Sequence, residues 1–208
     1  MKERDLEKIA QNLGGIFSLQ QLRLYEADFL KSNLTRRGRD GYIKRISKGR
    51  YILTETIINE NTLYLASNLI YQPSYISMET SLRHYDLIPE GVYLTTACSS
   101  QKTQKLSGDI GDFYYYHLKP ALMRGYSLLN SADTKSDILI ATVEKTICDF
   151  FYLKPHLTEN DFAELRIDNF HLRELTTPAK LQLCADSFKV KRLSKIIQLF
   201  ISFSQKNA

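Results

Sequence analysis

Several features are scarce in this 208-residue chain, and each scarcity excludes a class of protein. The three cysteines, Cys98, Cys148 and Cys184, are far apart and odd in number, with no CxxC pair. Neither a disulfide framework nor a zinc site is indicated, and a reducing, cytoplasmic compartment fits. No stretch approaches the roughly 20 apolar residues that span a bilayer, so no membrane partner is expected. The first residues, MKERDLEK, are charged and carry no apolar h-region, which points away from a secretory signal. The phosphate-cradling patterns GxxxxGK[ST] and GxGxxG are missing. His84, His117, His156 and His171 are isolated and show no metal-ligand spacing such as HExxH. No cofactor, no metal and no catalytic residue is expected, and no Ser, His and Asp arrangement can be assigned.

Positive charge is unevenly distributed. Residues 31–53, KSNLTRRGRDGYIKRISKGRYIL, hold eight basic residues and a single acid, Asp40, for a net charge of +7, whereas the whole chain carries +5. Residues 1–54 are net +6 and residues 55–208 are net −1. Such concentration is the electrostatic footprint of a surface that meets phosphates. It also suggests a small basic domain, 1–54, followed by a larger and nearly neutral one, 55–208.

In the first part, Leu6, Ile9, Ala10 and Leu13 recur at helical spacing, and Gly14-Gly15 ends that helix. Ser18 can cap a short second helix carrying Leu19 and Leu22. A third helix is expected over 27–40, with Phe29, Leu30 and Leu34 inward and Lys31, Ser32, Thr35, Arg36 and Arg39 outward. Gly41 suits a left-handed cap, and Gly38 weakens the helix interior by about 1 kcal/mol. Residues 42–47 and 50–53 read as a hairpin across Lys48-Gly49.

Three helices followed by a basic hairpin describe a winged helix-turn-helix. The third helix fits the major groove of duplex DNA, and the hairpin lies against the backbone or minor groove. The candidate DNA-binding residues are Lys31, Ser32, Asn33, Thr35, Arg36, Arg37 and Arg39 on the helix, with Lys44, Arg45, Lys48 and Arg50 on the hairpin. Arg and Lys supply phosphate affinity, while Ser, Asn and Arg read base edges. The alternative is a basic, solvated helix with no partner.

In the second part, 55–60 is a short connector. Leu63, Ala66, Leu69 and Ile70 form a helical stripe that Pro73 stops. Ser77 caps a helix bearing Met78, Leu82 and Tyr85. Strands are expected at 92–97, 112–118 and 137–142, with a polar loop over 98–106. Val143, Ile147, Phe150 and Phe151 share a helical face. Thr158 and Asp161 resemble a capping box, and Thr177-Pro178 opens another helix. Leu193, Ile196, Ile197, Phe200 and Ile201 line the last one. The overall class is α+β, an N-terminal winged helix-turn-helix followed by a mixed α+β C-terminal domain.

Three segments in this order resemble the AbiEi antitoxins, one half of a bacterial toxin–antitoxin pair in phage defence by abortive infection. They are GYIKRISKGRYIL (41–53), PSYISMETSLRHYDLIPE (73–90) followed by VYLTTA, and ATVEKTICDFFYL (141–153), where the family tends to show Ala-x-x-Glu-Lys and then Asp. The likeness covers about residues 5–200 and rests on order and spacing. It implies a transcription regulator that binds inverted repeats in its own promoter and represses its operon. It also implies a C-terminal domain that neutralises a cognate toxin similar to a nucleotidyltransferase. The expected state is a monomer in solution that pairs on double-stranded DNA. Gly38, inside the recognition helix, is a departure that bears on the length and aim of that helix.

Other constellations have plainer readings beside the functional ones. Glu144, Lys145 and Asp149 could do acid–base work, but Lys145 and Asp149 are also an i,i+4 pair and Glu144 suits a helix N-terminus. Asp109, Asp112, Asp133 and Lys135 loosely imitate a Mg-dependent nuclease pattern, although Asp133 and Lys135 lie in a turn-like segment, NSADTKSD. Tyr114, Tyr115 and Tyr116 could stack bases or form one face of a half-buried strand. Lys189, Lys191, Arg192 and Lys195 could clamp a nucleic acid or an acidic toxin surface, or simply face solvent. Two rival functions remain open: a ligand-responsive winged-helix regulator without a toxin partner, and a nuclease.

Overall fold

The structure is a computed structural model that describes residues 3–91, 93–130 and 136–207. The first six elements are α1 (Glu3–Asn12), β1 (Ile16–Ser18), α2 (Leu19–Tyr25), α3 (Lys31–Arg39), β2 (Ile43–Ser47) and β3 (Arg50–Leu53). Gly14 and Gly15, at φ 71° and 81°, turn the chain out of α1. An added side chain at Gly15 would strike Thr56 at 2.6 Å, so the turn accepts little else. Ser18 then builds a full capping box with Gln21 at the start of α2.

The third helix begins at Lys31, four residues later than its composition predicts. Leu30 is its N-cap in extended conformation and is 59% exposed rather than inward, while Phe29 and Leu34 are buried as expected. The helix closes through Asp40 and Gly41, whose φ of 80° supplies the left-handed cap. Tyr42 N–H donates to the Arg37 carbonyl at 3.0 Å, and Thr54 Oγ1 donates to the Gly41 carbonyl at 2.6 Å, fixing the base of the hairpin to the helix end.

The sequence reading lacks β1, whose three residues are too few to show an alternation. It pairs antiparallel with β3, giving a sheet in the order β1-β3-β2. Both faces of this sheet are buried. Phe17, Ile43 and Leu53 join Leu6, Ala10, Leu22, Phe29 and Leu34 of the three helices. Ile16, Ile46 and Ile52 point the other way, into a cluster with residues beyond position 54. Period-2 alternation therefore welds the basic part to the neutral part.

The rest of the described chain comprises α4 (Glu60–Ile70), β4 (Ser74–Ile76), α5 (Met78–His84), β5 (Leu94–Ser99), β6 (Gln104–Gly108), β7 (Gly111–His117), β8 (Tyr126–Asn130), β9 (Asp137–Ala141), α6 (Val143–Leu153), α7 (Asn169–Leu175), α8 (Pro178–Ser187) and α9 (Lys191–Lys206). The strands form one mixed sheet in the order β6-β7-β5-β4-β9-β8, parallel at β7/β5 and β4/β9 and antiparallel elsewhere. One face, with Ile76, Ala97, Phe113, Tyr115, Ile138 and Ile140, meets Tyr64, Leu65 and Ala66 of α4 and the isoleucines of the small sheet. The opposite face, with Tyr75, Cys98 and Ala141, meets the core formed by α5, α6, α8 and α9.

The polar segment over 98–106 is not one loop: Cys98 and Ser99 complete β5, and 104–106 open β6, an edge strand whose solvated faces mask its periodicity. β4 and β8 are absent from the sequence reading, as is the seven-residue α7. Ser77 does occupy the N-cap of α5, but its hydroxyl makes no cap bond and donates instead to Asp149 at 3.0 Å. Among the described residues no helix is long and apolar enough to cross a membrane.

Candidate nucleic-acid interface

The basic residues of α3 divide by helical phase. Leu34 and Arg37, three apart, face the interior, and Lys31, Ser32, Thr35, Arg36 and Arg39 are exposed, with Asn33 half-buried. Arg37 is only 6% exposed, lying beside Leu6, Tyr42 and Leu53, which removes it from the DNA-binding residues among which its sequence places it. Gly38 keeps helical backbone, and a methyl added there would meet nothing nearer than the Ile43 carbonyl at 3.9 Å. It therefore interrupts neither the length nor the direction of the helix.

On the hairpin, an irregularity in register between Arg45 and Ser47 presents two consecutive cations, Lys44 and Arg45, to solvent while Ile43 and Ile46 stay buried. Arg45 Nε donates to the Ser47 carbonyl at 3.0 Å across the irregularity. Lys48 stands at the tip beside Gly49, whose φ of 80° makes the tight turn. Arg50 differs from the others. It is half-buried, its two terminal nitrogens lie 3.4 Å from Gln21 Oε1 and Gln72 Oε1, and burial lowers its pKa. Arg50 thus braces β3 against α2 and the start of β4 and is not fully presented outward.

Of the eleven nominated residues, the structure brings nine to one helix face and one hairpin that pack together. The six exposed cations are Lys31, Arg36, Arg39, Lys44, Arg45 and Lys48, and among the described residues none forms an ion pair. Unpaired cations on a rigid, two-element surface retain their charge for a polyanion, because no intramolecular carboxylate must be displaced first.

The other constellations resolve into architecture. Asp149 is fully buried and Lys145 is 1% exposed; Lys145 Nζ lies 2.5 Å from Asp149 Oδ1, while Tyr75 and Ser77 donate to Oδ2 at 2.8 and 3.0 Å. Burial pushes the Asp149 carboxyl up, against the pull of Lys145 and of the three donors. The Lys145 ammonium also sits 4.3 Å from the Phe188 ring centroid. This sealed network joins α6, β4 and α8 and presents no surface to a substrate. Glu144, in the first turn of α6, accepts from Thr176 at 2.5 Å. Sequence spacing reveals the Lys145–Asp149 pair but not its tyrosine and serine partners, which arrive from 72 to 74 residues away.

Asp112 lies 3.8 Å from Lys105 at the surface, and Asp133 and Lys135 fall outside the described residues. Among the described residues no group of three His, Cys, Asp or Glu side chains could hold a metal. Tyr115 is buried with its hydroxyl on the Ser67 carbonyl, while Tyr114 and Tyr116 pack edge-on at 4.6 Å on the other face of β7. Arg192 is tied to the Phe151 carbonyl at 2.6 Å, where it satisfies the last turn of α6. Lys189, Lys191 and Lys195 are left exposed. Compared with known proteins, the chain matches no protein-family model and no curated protein.

Proposed function

We propose that this chain is a DNA-binding antitoxin that represses its own operon. The observation that carries the DNA half is the set of six exposed, unpaired cations on α3 and the β2–β3 hairpin. The order α1-β1-α2-α3-β2-β3, with a three-stranded sheet backing the helices, is the order of a winged helix, and it supports the reading. In that arrangement α3 enters the major groove and the hairpin tip at Lys48 reaches the adjacent backbone. Lys31, Arg36, Arg39, Lys44, Arg45 and Lys48 neutralise phosphates, and Ser32, Asn33 and Thr35, on the same helix, are of a length to reach base edges. The antitoxin half rests on the resemblance of 73–97 and 141–153 to AbiEi proteins. It assigns neutralisation of a nucleotidyltransferase-like toxin to the part beyond residue 54, acting in the cytoplasm without chemistry of its own.

The test has two arms. A gel shift with the chain's own upstream region should show retardation that the Arg36→Ala/Arg39→Ala variant loses. Co-expression with the product of the adjacent gene should restore growth in the wild type and in that variant alike. Equal retardation of both proteins contradicts the helix assignment, and failure of both to rescue contradicts the antitoxin assignment. A ligand-responsive regulator without a toxin partner is the second reading. The open cleft on the far side of the large sheet favours it, and an adjacent gene unrelated to a nucleotidyltransferase would select it.

A further inference from the structure

The cleft lies where α5, β5, the end of β7 and the C-terminal end of α6 meet the segment before α7, and is an open groove with room for about 590 Å³. That volume is in the range of pockets that bury a small organic molecule, roughly 300–1,000 Å³. Its floor is apolar, with Leu82, Ile88, Phe150 and Ile167, and Tyr116 forms one wall. Tyr93, 97% exposed, stands at the mouth with a ring committed to no core.

The polar groups of the cleft are unequal in sign. Glu79, Glu90 and Glu164 line it with one cation, Lys154. Lys154 is already committed: its ammonium is 2.5 Å from Glu79 Oε1 and 4.1 Å from the Phe150 ring centroid. Glu90 is held by Arg166 at 2.8 Å. Two acceptors are left. Glu79 Oε2 is buried and finds no hydrogen-bond partner among the described residues, and Glu164 at the rim takes part in no ion pair there. A buried carboxylate oxygen without a donor is costly, and an incoming N–H relieves that cost once the carboxyl turns this oxygen, which has almost no accessible surface, toward the cleft. With Lys154 paired to Glu79 and Glu90 to Arg166, the charge left uncompensated in the lining is the Glu164 carboxylate, which disfavours an anionic ligand.

The geometry points to a binding site for a small organic cation, an ammonium or amidinium on an aromatic stem. On binding, the Glu79 carboxyl turns to bring Oε2 to the cleft, where the cationic head donates to it; the stem lies on Phe150 and Ile167, and Tyr93 folds over the outer ring face. This site is on the second sheet and does not depend on the DNA reading.

The protein has no tryptophan, so the indole of tryptamine can be excited at the red edge of its absorption, where the 13 tyrosines contribute little. Tryptamine titrated with the full chain should show a saturable rise in anisotropy. Tryptophol, which replaces the ammonium by a hydroxyl, should bind at least tenfold more weakly. Glu79→Gln should weaken tryptamine tenfold or more. Tyr93→Ala and Glu164→Gln, both on exposed side chains, should weaken it severalfold at unchanged melting temperature, and they keep the test decisive if Glu79→Gln unfolds the chain. Absence of saturable binding by tryptamine, and by benzamidine followed calorimetrically, overturns the site. Equal affinity for tryptophol, or wild-type affinity in the folded variants, overturns it as well.

Discussion

If the six exposed cations contact DNA phosphates, salt must weaken binding by an amount that their number fixes. Each phosphate neutralised contributes about −0.9 to the slope of log K against log salt, so six give a slope of about −5 for each bound protomer. Raising salt fourfold should then cost roughly three orders of magnitude in affinity. Arg36 and Arg39 are both on the exposed face of α3. Replacing the two by alanine should bring the slope to about −3.5 and reduce the loss over the same salt range to roughly two orders of magnitude. Arg37, buried between them in sequence, provides the internal control. Arg37→Ala should lower the unfolding midpoint while leaving the slope of the folded protein near that of wild type. Fluorescence anisotropy on a labelled upstream duplex at several salt concentrations reads all three proteins. A slope unchanged in Arg36→Ala/Arg39→Ala, or reduced as much by Arg37→Ala, refutes the division into facing and buried cations.

Removing one partner of the buried Lys145–Asp149 pair leaves an uncompensated charge, so Asp149→Ala should cost about 3–5 kcal/mol in denaturant unfolding. Lys145→Met/Asp149→Leu should recover part of that loss, since it removes the unpaired charge but leaves the Tyr75 and Ser77 hydroxyls without their acceptor, and a harmless single variant contradicts the network. Gly38→Ala should stabilise by about 0.5–1 kcal/mol, since the site is helical and the added methyl finds room; destabilisation would mean that α3 is distorted there. His84 packs edge-on against Tyr64 and Tyr85, and desolvation lowers its pKa below the ordinary 6.5, against the opposing pull of Glu60 and Asp86. A lowered histidine pKa favours the neutral form in the fold. Its contribution is present above pH 6.5 and is lost as pH falls from there through the lowered value. His84→Phe should therefore flatten the fall in melting temperature on the acid side of pH 6.5, and an unchanged profile refutes this.

The sequence makes long, strongly patterned elements readable. The apolar stripes of α1, α6 and α9, the hairpin turn at Lys48-Gly49 and the caps at Ser18, Thr158 and Thr177 all act through local rules of spacing and capping. What escapes a sequence reading is set by distant contacts. β1 and β4 are three residues each and exist because β3, β5 and β9 pair with them. Leu30 looks inward by periodicity, yet the chain before Lys31 is extended, and the helical phase that would bury it has not begun. For the basic surface, residue type alone cannot separate Arg36 from Arg37 or Lys44 from Arg50. Helical phase buries Arg37, and the glutamines at 21 and 72 hold Arg50. The two-sided burial of the small sheet is visible in retrospect as Ile-Phe at 16–17 and Ile-Leu at 52–53, adjacent apolar residues on opposite faces.

The central claim is that α3 and the β2–β3 hairpin dock this chain on the duplex upstream of its own coding sequence. Hydroxyl-radical footprinting of that duplex tests it most directly. The account predicts two protected patches of matching sequence in inverted orientation, about one helical turn or a multiple of it apart, each lost with Arg36→Ala/Arg39→Ala. Uniform, unprotected cleavage at low salt, or protection unaffected by that variant, would contradict it.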